Sequence, residues 1–287
     1  MNYQPLFIIG AGRSGTNILR DTMTRLKGFD TWDCDEINLI WRHGNIGKRN
    51  DIFGREEARA EVARFIRKEF SKFQRKSRAK VIIEKTCANS LRIPFIDEIF
   101  PDARYLYIVR DGRDVALSAA KRWRASVELA YLLKKLRYVP IGDLSHYSIR
   151  FLKNRLHQIQ SQEKRQASWG PIFPDMPEWA ASRPLLEVCA KQWAVCVEES
   201  DKAFEDMPDE KTFKVHYEAL VTDPRSVINL IADWYGPDLF DQLDEKSFSA
   251  IHAGSLNGWI KHRQSFTPEV RQILDPVLGK HGYEITA

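Results

Sequence analysis

The sequence has few cysteines, and their spacing argues against two kinds of stabilised fold. Only four cysteines occur in 287 residues, and no pair is spaced as C-x-x-C. Disulfide frameworks and structural zinc sites need cysteine pairs at short, regular spacings. We therefore expect Cys34, Cys87, Cys189 and Cys196 to be reduced thiols, and we expect no metal ion to be bound.

The chain also lacks a long hydrophobic run. No stretch approaches the roughly 18 to 20 apolar residues that a transmembrane helix needs. The first residues, MNYQPLFIIG, lack the basic region and the small-residue cleavage site of a signal peptide. With 43% hydrophobic and 29% charged residues, the composition is that of a soluble globular protein. We expect a cytoplasmic protein with a single domain over residues 1–287.

Hydrophobic periodicity predicts strands that alternate with helices. Apolar runs closed by turn residues predict four strands, at residues 5–10, 80–86, 104–112 and 211–217. Apolar residues that recur near every 3.6 positions predict helices at residues 14–26, 55–76, 90–100, 111–124, 185–204, 223–236 and 268–280. This alternation predicts an α/β fold with a mainly parallel central sheet flanked by helices. The pattern weakens at about 127–184, which we interpret as an inserted, partly helical region.

A lysine is missing from a glycine-rich loop, GAGRSGTN, that follows the first predicted strand. Its glycines spell the G-x-G-x-x-G of a dinucleotide-binding turn, but no strand is predicted ahead of Asp35, the acidic residue at a suitable distance. A nucleotide-binding P-loop places a lysine directly before Ser or Thr, whereas here Gly15 precedes Thr16. Neither template is therefore satisfied in full.

The loop carries a different cation, Arg13. It offers backbone N–H groups, the hydroxyls of Ser14 and Thr16, the N-terminus of a helix and one guanidinium group. These groups suit a polyanion that is bound without a metal ion. The pattern points to a phosphosulfate.

GAGRSGTN resembles the 5′-phosphosulfate loop of the sulfotransferase family. Members of this family transfer a sulfuryl group from 3′-phosphoadenosine 5′-phosphosulfate (PAPS) to a hydroxyl or amine and release 3′-phosphoadenosine 5′-phosphate (PAP). The resemblance implies a P-loop NTPase-like sulfotransferase fold with a helical insertion, PAPS as the donor and no metal. It also implies that the donor is bound by Gly12, Arg13, Ser14, Gly15, Thr16 and Asn17.

Two later segments extend the resemblance. YLYIVRDGRDVALSA, about 95 residues further on, is similar to the family's 3′-phosphate motif and implies that Arg110 and Ser118 hold that phosphate. An arginine at a strand end is suited to this role because its planar guanidinium group can form two parallel hydrogen bonds. VHYEALVTDP is similar to a segment that places Tyr217 near the adenine. Each segment alone is unspecific; their order and spacing carry the resemblance.

HAGSLNGWIKH, near the C-terminus, resembles the family's loop that closes over the nucleotide. It keeps Gly254 and Trp259 at the family spacing. His252 and Ala253 stand where the cytosolic enzymes have Arg-Lys, so those phosphate contacts have to come from other residues. The candidates are Ser255, Asn257 and Lys261.

Three catalytic roles follow from the resemblance. Arg13 would neutralise charge on the bridging oxygen, and Lys85 would bind the sulfuryl oxygens or orient the acceptor. The cytosolic enzymes use the histidine of a Lys-Thr-His segment as general base, but this chain has Cys87 there. Several membrane-bound and bacterial members carry a catalytic glutamate in the loop after the first helix, which favours Glu36 as the base with Asp35 second.

The carboxylates of the Asp-Glu pair also fit the start of a helix, where they would act only as caps. Glu84 is a weaker candidate for the base, because the alternation in VIIEK leaves its direction open. His43 is a candidate for lining the acceptor pocket.

The region from Lys121 to Arg183 gives the only indication of the acceptor. It has 12 Lys or Arg against 5 Asp or Glu, although the net charge of the whole chain is only +5. We expect a sugar-containing or acidic acceptor there, and the alternatives are a peptide, lipid or small-phenol acceptor and a solvated basic face with core aromatics. The aromatic residues of this region are Trp123, Tyr131, Tyr138, Tyr147, Trp169 and Trp179.

Two other functions fit parts of the sequence. A P-loop nucleotide kinase or NTPase would bind ATP with magnesium, and the missing loop lysine argues against it. A non-catalytic polyanion-binding protein on the same fold would use the basic region alone. The sequence has no recognisable nucleic-acid motif, so we expect no nucleic-acid partner.

Overall fold

Five short strands form one parallel sheet in a computed structural model that describes residues 2–125, 143, 168–236, 248, 251 and 256–285. The strands lie side by side in the order β2-β3-β1-β4-β5, and each neighbouring pair is parallel. Their bounds are β1 Gln4–Ile9, β2 Phe29–Asp30, β3 Val81–Glu84, β4 Arg104–Val109 and β5 Thr212–His216. The predicted α/β fold is confirmed.

Helices connect the strands and cover both faces of the sheet. The α-helices of the described residues are α1 Thr16–Met23, α2 Asn38–Trp41, α3 Ala60–Ser77, α4 Ile93–Ile99, α5 Gly112–Arg124, α6 Met176–Ser182, α7 Leu185–Glu205, α8 Tyr217–Thr222, α9 Pro224–Tyr235 and α10 Pro268–Lys280. Shorter 3₁₀ helices occupy Arg55–Glu57, Cys87–Leu91, Asp209–Lys211 and Gly258–Ser265. No helix in these described ranges is both long enough and apolar enough to cross a membrane.

The structure differs from the sequence prediction by one additional strand and at several element boundaries. The segment before Asp35 contains β2, a two-residue strand that pairs with β3 and is too short to show a periodic pattern. The long helix α3 begins at Ala60 rather than at 55, because residues 55–57 form a separate 3₁₀ turn. Helix α1 ends at Met23 rather than at 26.

The central strands are buried on both sides. On one face Phe7, Ile82 and Tyr105 pack in a cluster with α3 residues, and on the other face Leu6, Ile8 and their neighbours pack against α1 and α9. Burial of both faces explains why these strands are continuous apolar runs rather than alternating ones. The sheet is thereby fixed between two layers of helices.

The carboxyl ends of β1 and β4 lie next to each other, since Ile9 pairs with Tyr107 in the parallel register. The glycine-rich loop after β1 therefore meets the segment after β4. The approach is close: a Cβ atom at Gly10 would lie 2.6 Å from the backbone oxygen of Ile108. Only glycine fits there, so the loop is held against the sheet edge.

Most of the inserted region at about 127–184 lies outside the described residues. Its described end includes α6 and a buried segment in which Ile172 exchanges hydrogen bonds with Asp51. Trp123, one of the aromatics assigned to the acceptor region, is fully buried in the core. The four cysteines form no disulfide.

Gly15→Ala is expected to destabilise the protein strongly. Gly15 has a φ of +91°, and its Cβ would lie 2.3 Å from Tyr217 Cδ2. The left-handed backbone and the overpacking together cost about 2 to 4 kcal/mol of unfolding free energy, measured by urea unfolding. Gly28→Ala is the matched control, because Gly28 shares the positive φ while its nearest contact would be 3.6 Å away. Equal losses in the two variants would contradict the packing argument.

Candidate anion-binding and catalytic site

The glycine-rich loop turns sharply before α1 begins at Thr16. Arg13 and Gly15 both have left-handed backbone conformations, with φ of 79° and 91°. The side chain of Ser14 is buried, and its Oγ has no hydrogen-bond partner among the described residues. A buried hydroxyl without a partner is uncommon in a folded protein and marks a position where a ligand atom can bind. The buried Ser14 hydroxyl of the loop is therefore available to bind a ligand atom.

Arg13 contacts Arg110, the residue after β4, and Ser118 in the middle of α5. Its Nε donates to Ser118 Oγ at 3.0 Å, and its backbone oxygen accepts from Arg110 Nη1 at 3.1 Å. Burial, together with the charges of Arg122 and Arg110, lowers the pKa of Arg13. These cations repel one another, so an anion bound between them would be stabilised.

Tyr217 lies against both the loop and Arg110. The guanidinium carbon of Arg110 is 4.3 Å from the centroid of the Tyr217 ring, and a Cβ atom at Gly15 would lie 2.3 Å from Cδ2 of the same ring. Arg110 also approaches Asp114, at 3.6 Å. The structure therefore brings the predicted residues Arg13, Arg110, Ser118 and Tyr217 into one cluster.

The C-terminal 3₁₀ helix is attached to the same cluster through α5. The backbone N–H of Trp259 donates to Asp114 Oδ1 at 2.8 Å, and the guanidinium carbon of Arg113 lies 3.8 Å from the Trp259 ring. Asp114 is thus shared between Trp259 and Arg110. The predicted contacts of Gly254 and Ser255 lie outside the described residues.

Lys85 follows β3 and is almost completely buried. Its Nζ is 2.9 Å from Asp35 Oδ1 and 3.4 Å from Glu36 Oε1, and its side chain is 1% exposed. Burial acts to lower the pKa of Lys85, but the charges of Glu36 and Asp35 outweigh burial and raise it. Lys85 therefore stays protonated throughout the physiological pH range.

Asp35 is shared between Lys85 and Arg20. Arg20 Nη1 donates to Asp35 Oδ1 at 2.7 Å. Burial acts to raise the pKa of Asp35, but Lys85 and Arg20 lower it to about 2. A carboxylate held this strongly by two cations is a poor proton acceptor.

Glu36 does not act as a helix cap. Helix α2 begins at Asn38, and its N-cap residue Ile37 makes no side-chain cap hydrogen bond. Glu36 Oε1 instead accepts from the backbone N–H of Cys87 at 3.2 Å and from Lys85. Ile37 rather than Glu36 is thus the N-cap residue of α2, and the Glu36 carboxylate lies against the end of β3.

Cys87 connects this carboxylate to the glycine-rich loop. Its Sγ lies 3.9 Å from Thr16 Oγ1, and its backbone N–H binds Glu36. Burial first, and then the charge of Glu36, raise the pKa of the Cys87 thiol well above its usual value. The thiol is therefore neutral near pH 7.

Glu84, the weaker candidate for the base, and His43, the candidate for lining the acceptor pocket, are both bound to other side chains. Glu84 is fully buried and accepts from Thr86 and Asn89. His43 Nδ1 lies 2.8 Å from Asp143 Oδ2, and its ring packs on Phe65. Both side chains are engaged in contacts inside the described part of the chain.

Sequence reasoning did not identify Arg20. Its charge sits on an amphipathic helix, where an arginine normally faces solvent, and only the fold brings it to Asp35. In the sequence, Trp169 is one aromatic among several in the region from Lys121 to Arg183. Its ring lies over the loop, since a Cβ at Gly12 would come within 3.4 Å of it and within 3.8 Å of Cys87 Sγ. No local pattern signals that contact.

Comparison with known proteins gives one family. The sequence model of the sulfotransferase family matches residues 5–168, more than half of the chain. That range includes the glycine-rich loop, Glu36, Lys85, Arg110 and Ser118. No curated protein sequence matches the chain.

Two solved structures are similar to the whole chain in fold. The sulfotransferase domain from the curacin biosynthetic pathway has a TM-score of 0.53 at 13% identity, with 99% of each chain covered. The sulfotransferase domain of the Synechococcus PCC 7002 olefin synthase has a TM-score of 0.51 at 14% identity, with 99% of this chain and 97% of that chain covered. At these identities the likeness shows the fold.

Asp35→Asn is expected to weaken the acid dependence of stability. A carboxylate whose pKa is about 2 when folded stabilises the protein above its unfolded pKa, near 4, and this contribution is lost as pH falls to about 2. The unfolding free energy of the variant, measured by urea titration, should therefore fall less steeply than that of the wild type between these pH values. About a third of the Asp35 side chain is exposed, which reduces the effect. Asp102→Asn, at an exposed position, is the control. If the unfolding free energy falls with pH equally steeply in the wild type, Asp35→Asn and Asp102→Asn, the prediction is contradicted.

Proposed function

Because the chain belongs to the sulfotransferase family, we propose that it transfers the sulfuryl group of PAPS to a hydroxyl or amine acceptor and releases PAP. The observation that carries the proposal is one juxtaposition. A loop with two left-handed residues and a buried, unpartnered Ser14 hydroxyl adjoins Arg110 and Ser118 on one side and the Lys85–Glu36 pair on the other. An anion site and a carboxylate beside it are what sulfuryl transfer needs.

The donor would lie along the carboxyl edge of the sheet. The 5′-phosphosulfate would bind the N–H groups and hydroxyls of the glycine-rich loop, residues Gly12, Arg13, Ser14, Gly15, Thr16 and Asn17. The 3′-phosphate would bind Arg110 and Ser118. Tyr217 would contact the adenine, and the segment with Gly254, Ser255 and Trp259 would cover the nucleotide. This arrangement is supported by the contacts that already join Arg13 to Ser118 and to Arg110.

Transfer is expected to be an in-line displacement, in which positioning and charge stabilisation supply most of the catalysis. The acceptor oxygen or nitrogen bonds to sulfur, the bond from sulfur to the bridging oxygen breaks, and the 5′-phosphate leaves as PAP. Arg13 would stabilise the charge that grows on the bridging oxygen. Lys85, which stays protonated, would stabilise the sulfuryl oxygens.

The acceptor's proton would pass to Glu36. Asp35 is bound by both Lys85 and Arg20 and has a pKa of about 2, which makes it the weaker base. The pKa of the Cys87 thiol is raised, so the thiol is neutral, and a protonated thiol is not a proton acceptor. Glu36 adjoins Cys87, which in turn touches Thr16 of the loop, and this favours Glu36 as the general base.

Trp169 supports a sugar-containing acceptor. Its ring lies over Gly12 and near Cys87, beside the proposed transfer site, and it is only half-buried. A flat, half-exposed aromatic ring in such a place can stack on the apolar face of a sugar. The basic excess between residues 121 and 183 would pair with acidic groups of a glycoconjugate.

The two alternative functions have less support. The loop has no lysine in the position that a nucleotide kinase or NTPase uses, and Arg13 is turned towards Ser118 instead. A protein that only binds polyanions would have no need for a buried lysine paired with two carboxylates beside the loop.

The direct test of the donor is calorimetric titration with PAP in the presence of EDTA, beside ATP with magnesium. We expect PAP to bind tightly without metal and Arg110→Ala to weaken it about 10- to 100-fold, because a charge-assisted hydrogen-bond pair to phosphate is lost. Arg75→Ala, an exposed arginine in the last turn of α3, is the charge-matched control and should bind PAP like the wild type. Preference for magnesium ATP, or PAP binding that survives Arg110→Ala, would contradict the proposal.

A further inference from the structure

Thr86 holds the backbone next to Glu36. Its Oγ1 accepts the backbone N–H of Ile37 at 3.2 Å, while the residues on either side of Thr86 bind the two carboxylates described above. The three residues that follow β3 therefore contact three successive residues of the segment that carries Glu36. The contact from Thr86 binds the main chain of that segment at Ile37, and Arg20 Nη1 donates to the backbone oxygen of Asp35 at 3.4 Å.

Glu84 determines which way the Thr86 hydroxyl points. Thr86 Oγ1 donates to Glu84 Oε1 at 2.5 Å, and Glu84 Oε2 accepts from Asn89 Nδ2 at 2.6 Å. The Asn89 amide is itself oriented, because its Oδ1 accepts from Arg92 Nε at 2.8 Å. With its proton directed to Glu84, the Thr86 hydroxyl presents a lone pair to Ile37.

These groups are cut off from water. The side chains of Thr86, Glu84 and Ile37 are each no more than 1% exposed. If the hydroxyl were removed, no water would replace it at the Ile37 N–H, and the N–H would be left buried without an acceptor. The segment would then be expected to shift until that N–H finds a new partner, and Glu36 would move with it.

We propose that Thr86 is a positioning residue that sets the location of the Glu36 carboxylate through the Ile37 N–H. Thr86 itself touches neither the donor nor the acceptor. The inference rests on the role proposed above for Glu36 as general base. It adds to that role a stated cause for the position of the carboxylate, namely a hydrogen-bond chain that runs from Arg92 through Asn89, Glu84 and Thr86.

The test compares Thr86→Val with Thr86→Ser. Valine keeps the shape of threonine without the hydroxyl, and serine keeps the hydroxyl without the methyl group. Using PAPS and the acceptor that gives the fastest PAP release, we expect kcat to fall at least tenfold in Thr86→Val and to stay within about threefold in Thr86→Ser. KM for PAPS and affinity for PAP should change less than twofold in both, because a misplaced base slows the chemical step without weakening donor binding.

Thr22→Val is the matched control. Thr22 is also buried, and its hydroxyl donates to the backbone oxygen of Ile18 within α1 at 2.9 Å, away from the Glu36 segment. This variant should lose stability but keep kcat. A fall in kcat equal to that of Thr86→Val would show a general effect of losing a buried hydroxyl and would overturn the proposal.

Amide hydrogen exchange tests the contact independently of turnover. Exchange at Ile37 should be at least tenfold faster in Thr86→Val than in the wild type and unchanged in Thr86→Ser and Thr22→Val. If the wild type neither binds PAP nor consumes PAPS, the proposed function fails, while this exchange rate still decides whether Thr86 fixes the segment. Unchanged exchange at Ile37, or a serine variant as slow in turnover as the valine variant, would overturn the inference.

Discussion

A lysine buried in a protein keeps its charge when carboxylates lie close to it, and Lys85 has two such carboxylates beside it. Lys85 follows β3 with a side chain that is 1% exposed, so the segment with Asp35 and Glu36 has to lie against the end of that strand. Arg20 supplies the remaining charge balance for Asp35 from α1. The neutralisation of one lysine thus brings the segment that carries the candidate general base to the end of β3.

The glycine-rich loop depends on a second constraint, the close approach of backbone to backbone at the carboxyl edge of the sheet. A Cβ at Gly10 or Gly15 would lie within 3 Å of Ile108 or Tyr217, so the loop can contact β4 and α8 only because these positions are glycines. The same contact brings Arg13 to Arg110 and Ser118. Arg13 and Arg110 are thereby held just before the start of α1, where Thr16 contacts Cys87, whose backbone N–H binds Glu36. The two constraints therefore place two cations, Arg13 and Arg110, and a candidate proton acceptor, Glu36, within one site.

Local patterns in the sequence accounted for the parts of the fold that are formed locally. The apolar runs of β1, β3, β4 and β5 and the turn glycines are visible without the structure, and parallel strands that end at one edge explain why the motifs around Arg13 and Arg110 meet. The strand β2 was missed because two residues carry no period. The contacts of Arg20, Thr86 and Trp169 are tertiary, and no spacing in the sequence encodes them.

The central claim is that Glu36, and not the neighbouring Asp35, takes the acceptor's proton during sulfuryl transfer. The most direct measurement is the rate of PAP release from PAPS, in EDTA, over a panel of sugar, phenol and amine acceptors, for the wild type, Glu36→Gln and Asp35→Asn. The account predicts that Glu36→Gln lowers kcat by about 10²-fold or more and that Asp35→Asn has a much smaller effect, with PAP affinity retained in both. Full activity in Glu36→Gln, or a larger loss in Asp35→Asn, would contradict it.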